Sequence, residues 1–200
     1  VDFPIVVRSH GGRARSLVGQ KKYGEAHKVL EAFVKDKALS KLKLVVDANL
    51  LLVEVASEEG KTEKDDNERT RLFNAAVDSL KLVKKYRTKP EEMAELDLMS
   101  GEVLLRKMDA EKKLGLTKQA AESRGNAIVA FQRMIMGNQQ QSAELAAVLE
   151  KAYFYCMPLM LEHKKFADAA EDCERYLSLF PNGRYRTDIQ NWLNQAKLGQ

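Results

Sequence analysis

The strongest constraint on this chain is a four-residue pattern that returns on alternate amphipathic segments. It reads Tyr23, Ala26, Leu30, Phe33, then Phe73, Ala76, Leu80, Val83, then Arg124, Ala127, Phe131, Met134, and last Phe166, Ala169, Cys173, Tyr176. Gaps of three, four and three residues put all four members on one face of a helix. The small Ala lets a partner helix come close, and the larger residues fill the space beside it. Composition points the same way. Only 4 Pro and 11 Gly interrupt 200 residues, and 44% of the chain is hydrophobic, enough for the core of one domain. The periodicity predicts helices over 9–19, 22–36, 39–59, 66–87, 90–113, 117–136, 140–162, 165–179 and 184–197, after an extended lead-in at 1–8.

Repeat length adds a second constraint. Each pattern Ala has a small or contact residue opposite it on the preceding segment: Ala14 with Ala26, Ala48 with Ala76, Gly101 with Ala127, Met157 with Ala169. In an antiparallel hairpin the turn lies midway between such a pair. The midpoints fall at Gly19-Gln20, Gly60-Lys61-Thr62, Leu114-Gly115 and His163-Lys164, all polar or glycine-bearing turn material. The chain therefore reads as one helical-repeat domain over 1–200, with hairpins at 9–36, 39–87, 90–136 and 140–180 and a capping helix at 184–197 that carries Trp192, Leu193 and Ala196. The two middle hairpins are longer by about two helical turns per helix, which keeps the same face inward. Their matched extra length predicts a shared arm with Val53, Leu72, Met108 and Leu116 along its seam.

Ala169, Cys173 and Pro181, with the segment KKFADAAEDCERYLSLFPNG around them, resemble the second helix of a tetratricopeptide repeat. The preceding helix matches more loosely, through Tyr153, Cys156, Met157 and Met160, and the earlier copies keep a glycine only at Gly101. The resemblance is strongest over 150–183. It implies an all-α fold, a right-handed stack of antiparallel helical hairpins with about nine helices. It also implies a curved surface for binding a peptide or a partner domain. The ending FPNGRYRTDIQNWLNQAK is similar to repeats of bacterial envelope members of that family, which tilts the expected location to the periplasm or cell envelope rather than the cytoplasm. A chain that starts at Val1 instead of Met reads as trimmed or processed.

Charge separates the remaining classes. Lys and Arg number 33 against 29 Asp and Glu, and the excess of +4 is divided evenly between the two halves. That balance argues against a nucleic-acid partner. The densest basic run, Lys81, Lys84, Lys85, Arg87 and Lys89, precedes Pro90 and the acids Glu91, Glu92, Glu95 and Asp97. Cations at one helix end and anions at the start of the next follow the helix dipoles, so the run reads as two helix ends and not as a phosphate patch. No apolar run approaches the roughly 18 residues of a membrane span.

Chemical motifs are sparse. Gly60-Lys61-Thr62 resembles the end of a phosphate loop, but Val55 stands where the loop needs its first glycine. His10, His27 and His163 are far apart and read as surface residues, and the acids at Glu58, Glu59, Glu63, Asp65, Asp66 and Glu68 are interleaved with Lys61, Lys64, Arg69 and Arg71 as on a solvated hairpin tip. The reading assigns no catalytic residue, no cofactor and no metal. Phe154, Tyr155 and Leu161 fall off the main packing face of their helix and are the candidate partner-binding residues. Cys156 and Cys173 should face each other, mostly buried, either as a disulfide or as two inert thiols; a helix pair 8–10 Å apart favours the thiols. The expected function is a non-enzymatic protein-interaction or scaffold module. The alternative is the helical accessory domain of a bacterial cell-wall lytic enzyme.

Overall fold

The computed structural model describes residues 12–35, 43–87, 89–137 and 143–199, and every regular element among them is an α-helix. In chain order these are α1 (12–19), α2 (Tyr23–Val34), α3 (Lys43–Thr62), α4 (Asp66–Lys84), α5 (Pro90–Lys113), α6 (Thr117–Gly137), α7 (Ala143–Glu162), α8 (Phe166–Leu179) and α9 (Arg186–Leu198). The expected lead-in at 1–8 and His10 lie outside the described residues. Neighbouring helices pack against each other, α2 on α3, α3 on α4, α7 on α8, and α9 on both α7 and α8. The last three members of the pattern are buried in every copy: Ala26, Ala76, Ala127 and Ala169 are fully covered, as are Leu30, Phe131, Cys173 and Tyr176, while the leading member is fully buried only as Phe73 and half-buried as Tyr23, Arg124 and Phe166.

Three hairpins turn through the same backbone motif. Lys21, Gly115 and Lys164 each adopt a left-handed conformation, with φ of 58°, 71° and 57°. The amide of each donates to the carbonyl three residues back (Val18, Lys112, Leu161). The next amide donates five back, Lys22 to Leu17, Leu116 to Glu111 and Lys165 to Met160, at 2.9 Å in all three. This is the Schellman stop, which satisfies the last carbonyls of the helix. The following helix then begins in the same register: Ala26, Ala120 and Ala169 donate to Lys22, Leu116 and Lys165 at 2.9 to 3.0 Å. On this alignment Ala120 is the counterpart of Ala26 and Ala169. Ala127, the sequence-based choice, lies seven residues further along the same buried face, as expected for a helix lengthened by about two turns.

The α3–α4 connection departs from the sequence-based reading. Gly60-Lys61-Thr62 does not form the turn; α3 runs through all three residues. Gly60 is buried because the Phe73 ring of α4 lies on its backbone, and a Cβ there would come within 2.7 Å of the ring. The chain turns at 63–65 instead. Asp65 ends the turn by accepting the amides of Asn67 (2.8 Å) and Glu68 (3.0 Å), an N-cap that replaces the left-handed residue of the other hairpins. Gly101 has the same role as Gly60: a Cβ on it would collide with the Phe131 ring.

The chain condenses into two compact units. One holds the described residues up to Arg87 together with Arg106–Ala120; the other holds Lys89–Leu105 and the described residues from Ala121 onward. Thus α5 and α6 each supply residues to both. In the first unit Val53, Leu72 and Met108 are buried and Leu116 is half-buried, so all four expected seam residues belong to one compact body.

Candidate functional site

Helix α7 sends side chains in two directions, and both matter. Tyr153, Cys156, Met157 and Met160 point into the core, while Phe154 and Tyr155 are half-buried. The half-buried rings form a strip. Tyr155 sits 5.8 Å from Phe131 of α6, and Phe154 sits 5.6 Å from Tyr155. Phe154 stacks on Tyr185 with centroids 4.3 Å apart and planes at 27°, and lies 5.4 Å from Trp192 of α9. Two cations cover its ends. The Lys151 ammonium lies 5.7 Å from the Tyr155 centroid and pairs with Glu102 of α5 at 2.5 Å, which holds its pKa above the usual lysine range. The Arg184 guanidinium lies 5.5 Å from the Tyr185 centroid, a cation–π arrangement.

The residues that the sequence points to are Phe154, Tyr155 and Leu161. The structure brings the first two together and gives them partners that the sequence did not reveal, Tyr185, Trp192 and Phe131. Leu161 is half-buried two helical turns beyond Phe154, and no ring of the strip reaches it among the described contacts. Its carbonyl accepts the Lys164 amide of the turn.

A carboxylate places Tyr185 in the strip. Glu150 Oε2 accepts the Tyr176 hydroxyl at 2.6 Å and the Arg184 amide at 2.7 Å, and the Tyr176 oxygen accepts the Tyr185 amide at 3.0 Å. This clasp holds the α8–α9 turn against α7. Burial, reinforced by the Glu150 carboxylate, pushes the Tyr176 hydroxyl pKa up, so it stays protonated and keeps donating.

Beneath the strip lies a polar centre that sequence reasoning missed. Asp172 of α8 is only 4% exposed. Its Oδ1 pairs with Arg175 Nη1 at 3.0 Å, while Arg175 Nη2 goes to Glu171 at 2.7 Å. Burial pushes the Asp172 carboxyl up to about 6 against the pull of Arg175, and Gln132 of α6 supplies a hydrogen bond. The buried Tyr153 hydroxyl has Asp172 and Arg175 as its charged neighbours. Cys156 and Cys173 are both fully buried and free. Burial and then Asp172 push both thiols up, Cys173 to about 12, so neither forms a thiolate at neutral pH.

The first unit holds a smaller polar site. His27 was expected on the surface but is 4% exposed, because position 27 shares the inward face with Leu30. Its Nδ1 meets Glu59 Oε2 of α3 at 2.9 Å, and Nε2 is buried with no partner. Glu31 and Glu68 lie near it, and Arg71 adjoins Glu31 and Glu59. His163, by contrast, is exposed as expected.

Among the described residues no three His, Cys, Asp or Glu side chains converge to hold a metal ion, and no helix is long and apolar enough to cross a membrane. No protein-family model, curated protein or solved structure matches the chain.

Proposed function

We propose that this chain is a non-enzymatic protein-interaction module built from tetratricopeptide-like hairpins. It would take a peptide or a partner domain on the half-exposed ring strip of α7 and α9. The repeat reading is supported by the three equivalent Schellman turns with their equivalent alanines. The interaction reading rests on one observation, the strip of Phe154, Tyr155, Tyr185 and Trp192 flanked by Arg184 and Lys151. Rings that bury one face and expose the other supply large contact area at small entropic cost, and aromatic residues with Arg are the residues that dominate protein interfaces. The partner offers aliphatic or proline side chains to the rings and a carboxylate to Arg184.

Trp192 is the only tryptophan, so its fluorescence reports directly on the strip. Peptides selected by display against the chain should change Trp192 emission saturably. Arg184→Glu should weaken that binding at least tenfold while leaving the melting temperature unchanged. Selected peptides that bind without any response from Trp192 would move the site elsewhere. Turnover of purified peptidoglycan would replace this reading with that of a cell-wall lytic enzyme.

A further inference from the structure

The shared turn allows the first and last hairpins to be superposed residue by residue. Lys22 corresponds to Lys165, so Ala26 matches Ala169, Leu30 matches Cys173 and Phe33 matches Tyr176. Val29 then matches Asp172. In the first hairpin Val29 packs against the apolar core. The fold thus accepts plain hydrocarbon at this place, and hairpin geometry does not explain a buried acid there. Burying an ionised carboxylate is costly unless it is fully compensated. Asp172 is compensated by Arg175, whose fork is shared with Glu171, and by a hydrogen bond from the neutral Gln132.

The surroundings of Asp172 come from three helices. Helix α7 presents Tyr153 and Cys156, α6 presents Gln132, and α8 itself presents Arg175, Cys173, Glu171 and Asp168. Helix α9 adds Lys197, which pairs with Glu174 at the surface of α8. Arg175 is the cation that pairs with the carboxylate, and Lys165, just before α8, acts on the neighbouring Cys156. Two acids of the same helix, Glu171 and Asp168, favour the neutral form of Asp172, while the phenol and thiols around it are uncharged.

We propose that Asp172 is a proton-operated latch in the last hairpin: taking up a proton fastens α8 to α6 and α7, and releasing it loosens them. A neutral carboxyl needs no counter-charge and is the cheaper species to bury. The latch on α8 packs against the inward side of α7, whose outward side carries Phe154 and Tyr155, so it bears on the rigidity of the strip.

The direction with pH follows from linkage. The ordinary aspartate value is 3.8, and in the folded chain the group titrates near 6. Between those values the native state binds the extra proton. The stabilisation is complete below about pH 4 and is lost as pH rises through about 6.

The test compares the wild type with Asp172→Asn and Asp172→Val by urea unfolding from pH 4 to pH 8. The Asn variant is neutral throughout and cancels every other titration. The ratio of folding constants, wild type over variant, should fall about 100-fold across that range, following about tenfold per pH unit between the two titration points. Asp172→Val should show the same trend, since Val29 fills the equivalent place. A ratio that is flat with pH overturns the latch. If neither variant folds, the carboxyl-carbon NMR titration of Asp172 in the wild type decides: a midpoint near 6 supports the proposal, and one at or below 4 refutes it.

Discussion

The first and last hairpins turn through the same pair of Schellman hydrogen bonds and bury an equivalent alanine, yet their interiors differ. Around α2 the interior is Leu30 and Phe33 with half-buried Val29 packed against them, and a buried polar residue, His27, is met by Glu59 from α3. Around α8 the same places hold Cys173, Tyr176 and Asp172, and the tyrosine hydroxyl reaches out to Glu150. Equal backbone with unequal filling shows which part of the pattern makes a hairpin. The turn and the small alanine are needed in both; the polar groups are additions to one of them. Those additions do separate work: Tyr176 with Glu150 fastens the capping helix, and Asp172 makes the layer responsive to protons.

The comparison can be tested by three pairs of substitutions and one control at the third turn. The largest effect should come from Leu30→Ala, which removes a fully buried side chain and should cost about 2–5 kcal/mol. Cys173→Ala deletes one sulfur at the equivalent place and should cost distinctly less. Denaturant midpoints that fall equally would mean that the two interiors are filled to the same degree after all. Next come Ala26→Leu and Ala169→Leu. Each overpacks a helix pair and should cost about 1–3 kcal/mol. Similar losses of melting temperature support the equivalence of the two positions, and a large loss in only one breaks it. The smallest effect has the opposite sign. Lys21 and Lys164 hold a backbone conformation that costs an ordinary residue about 1 kcal/mol. Lys21→Gly and Lys164→Gly should each stabilise by about 0.5–1 kcal/mol, whereas Gly115→Ala, at the third turn, should destabilise by a similar amount. A Lys→Gly change that destabilises would show that the lysine side chain, and not the turn, holds that hairpin.

Much of this was legible from local pattern. The helix ends at 19, 113 and 162 were placed at or within a residue or two because turn residues and pattern midpoints agree there. The basic run ending α4 and the acids opening α5 also stand where the helix dipoles favour them. The failures are specific. Gly60 reads as a helix stop, since a glycine that ends a helix and one that admits a ring look alike in sequence; the ring of Phe73 decides between them. His27 reads as a surface residue because its partner Glu59 lies on another helix. Asp172 is one of many acids until the shared turn aligns it with Val29. Of the candidate site, Phe154 and Tyr155 were visible as residues off the packing face. Tyr185 was not, because the clasp of Glu150 and Tyr176 that seats it joins two helices and a turn.

Helical spacing, turn chemistry and the recurring small alanine depend on residues within a few positions of each other, so the order of the letters is enough to determine the helices, most of their ends and the faces that are buried. Which rings meet, which acid loses its water and which glycine lies under a phenylalanine depend on side chains from separate helices arriving at one place. Those encounters are set by how the hairpins pack, because burial and electrostatic strength belong to the assembled surroundings and not to any residue alone. The strip at Phe154 and the latch at Asp172 are products of that packing.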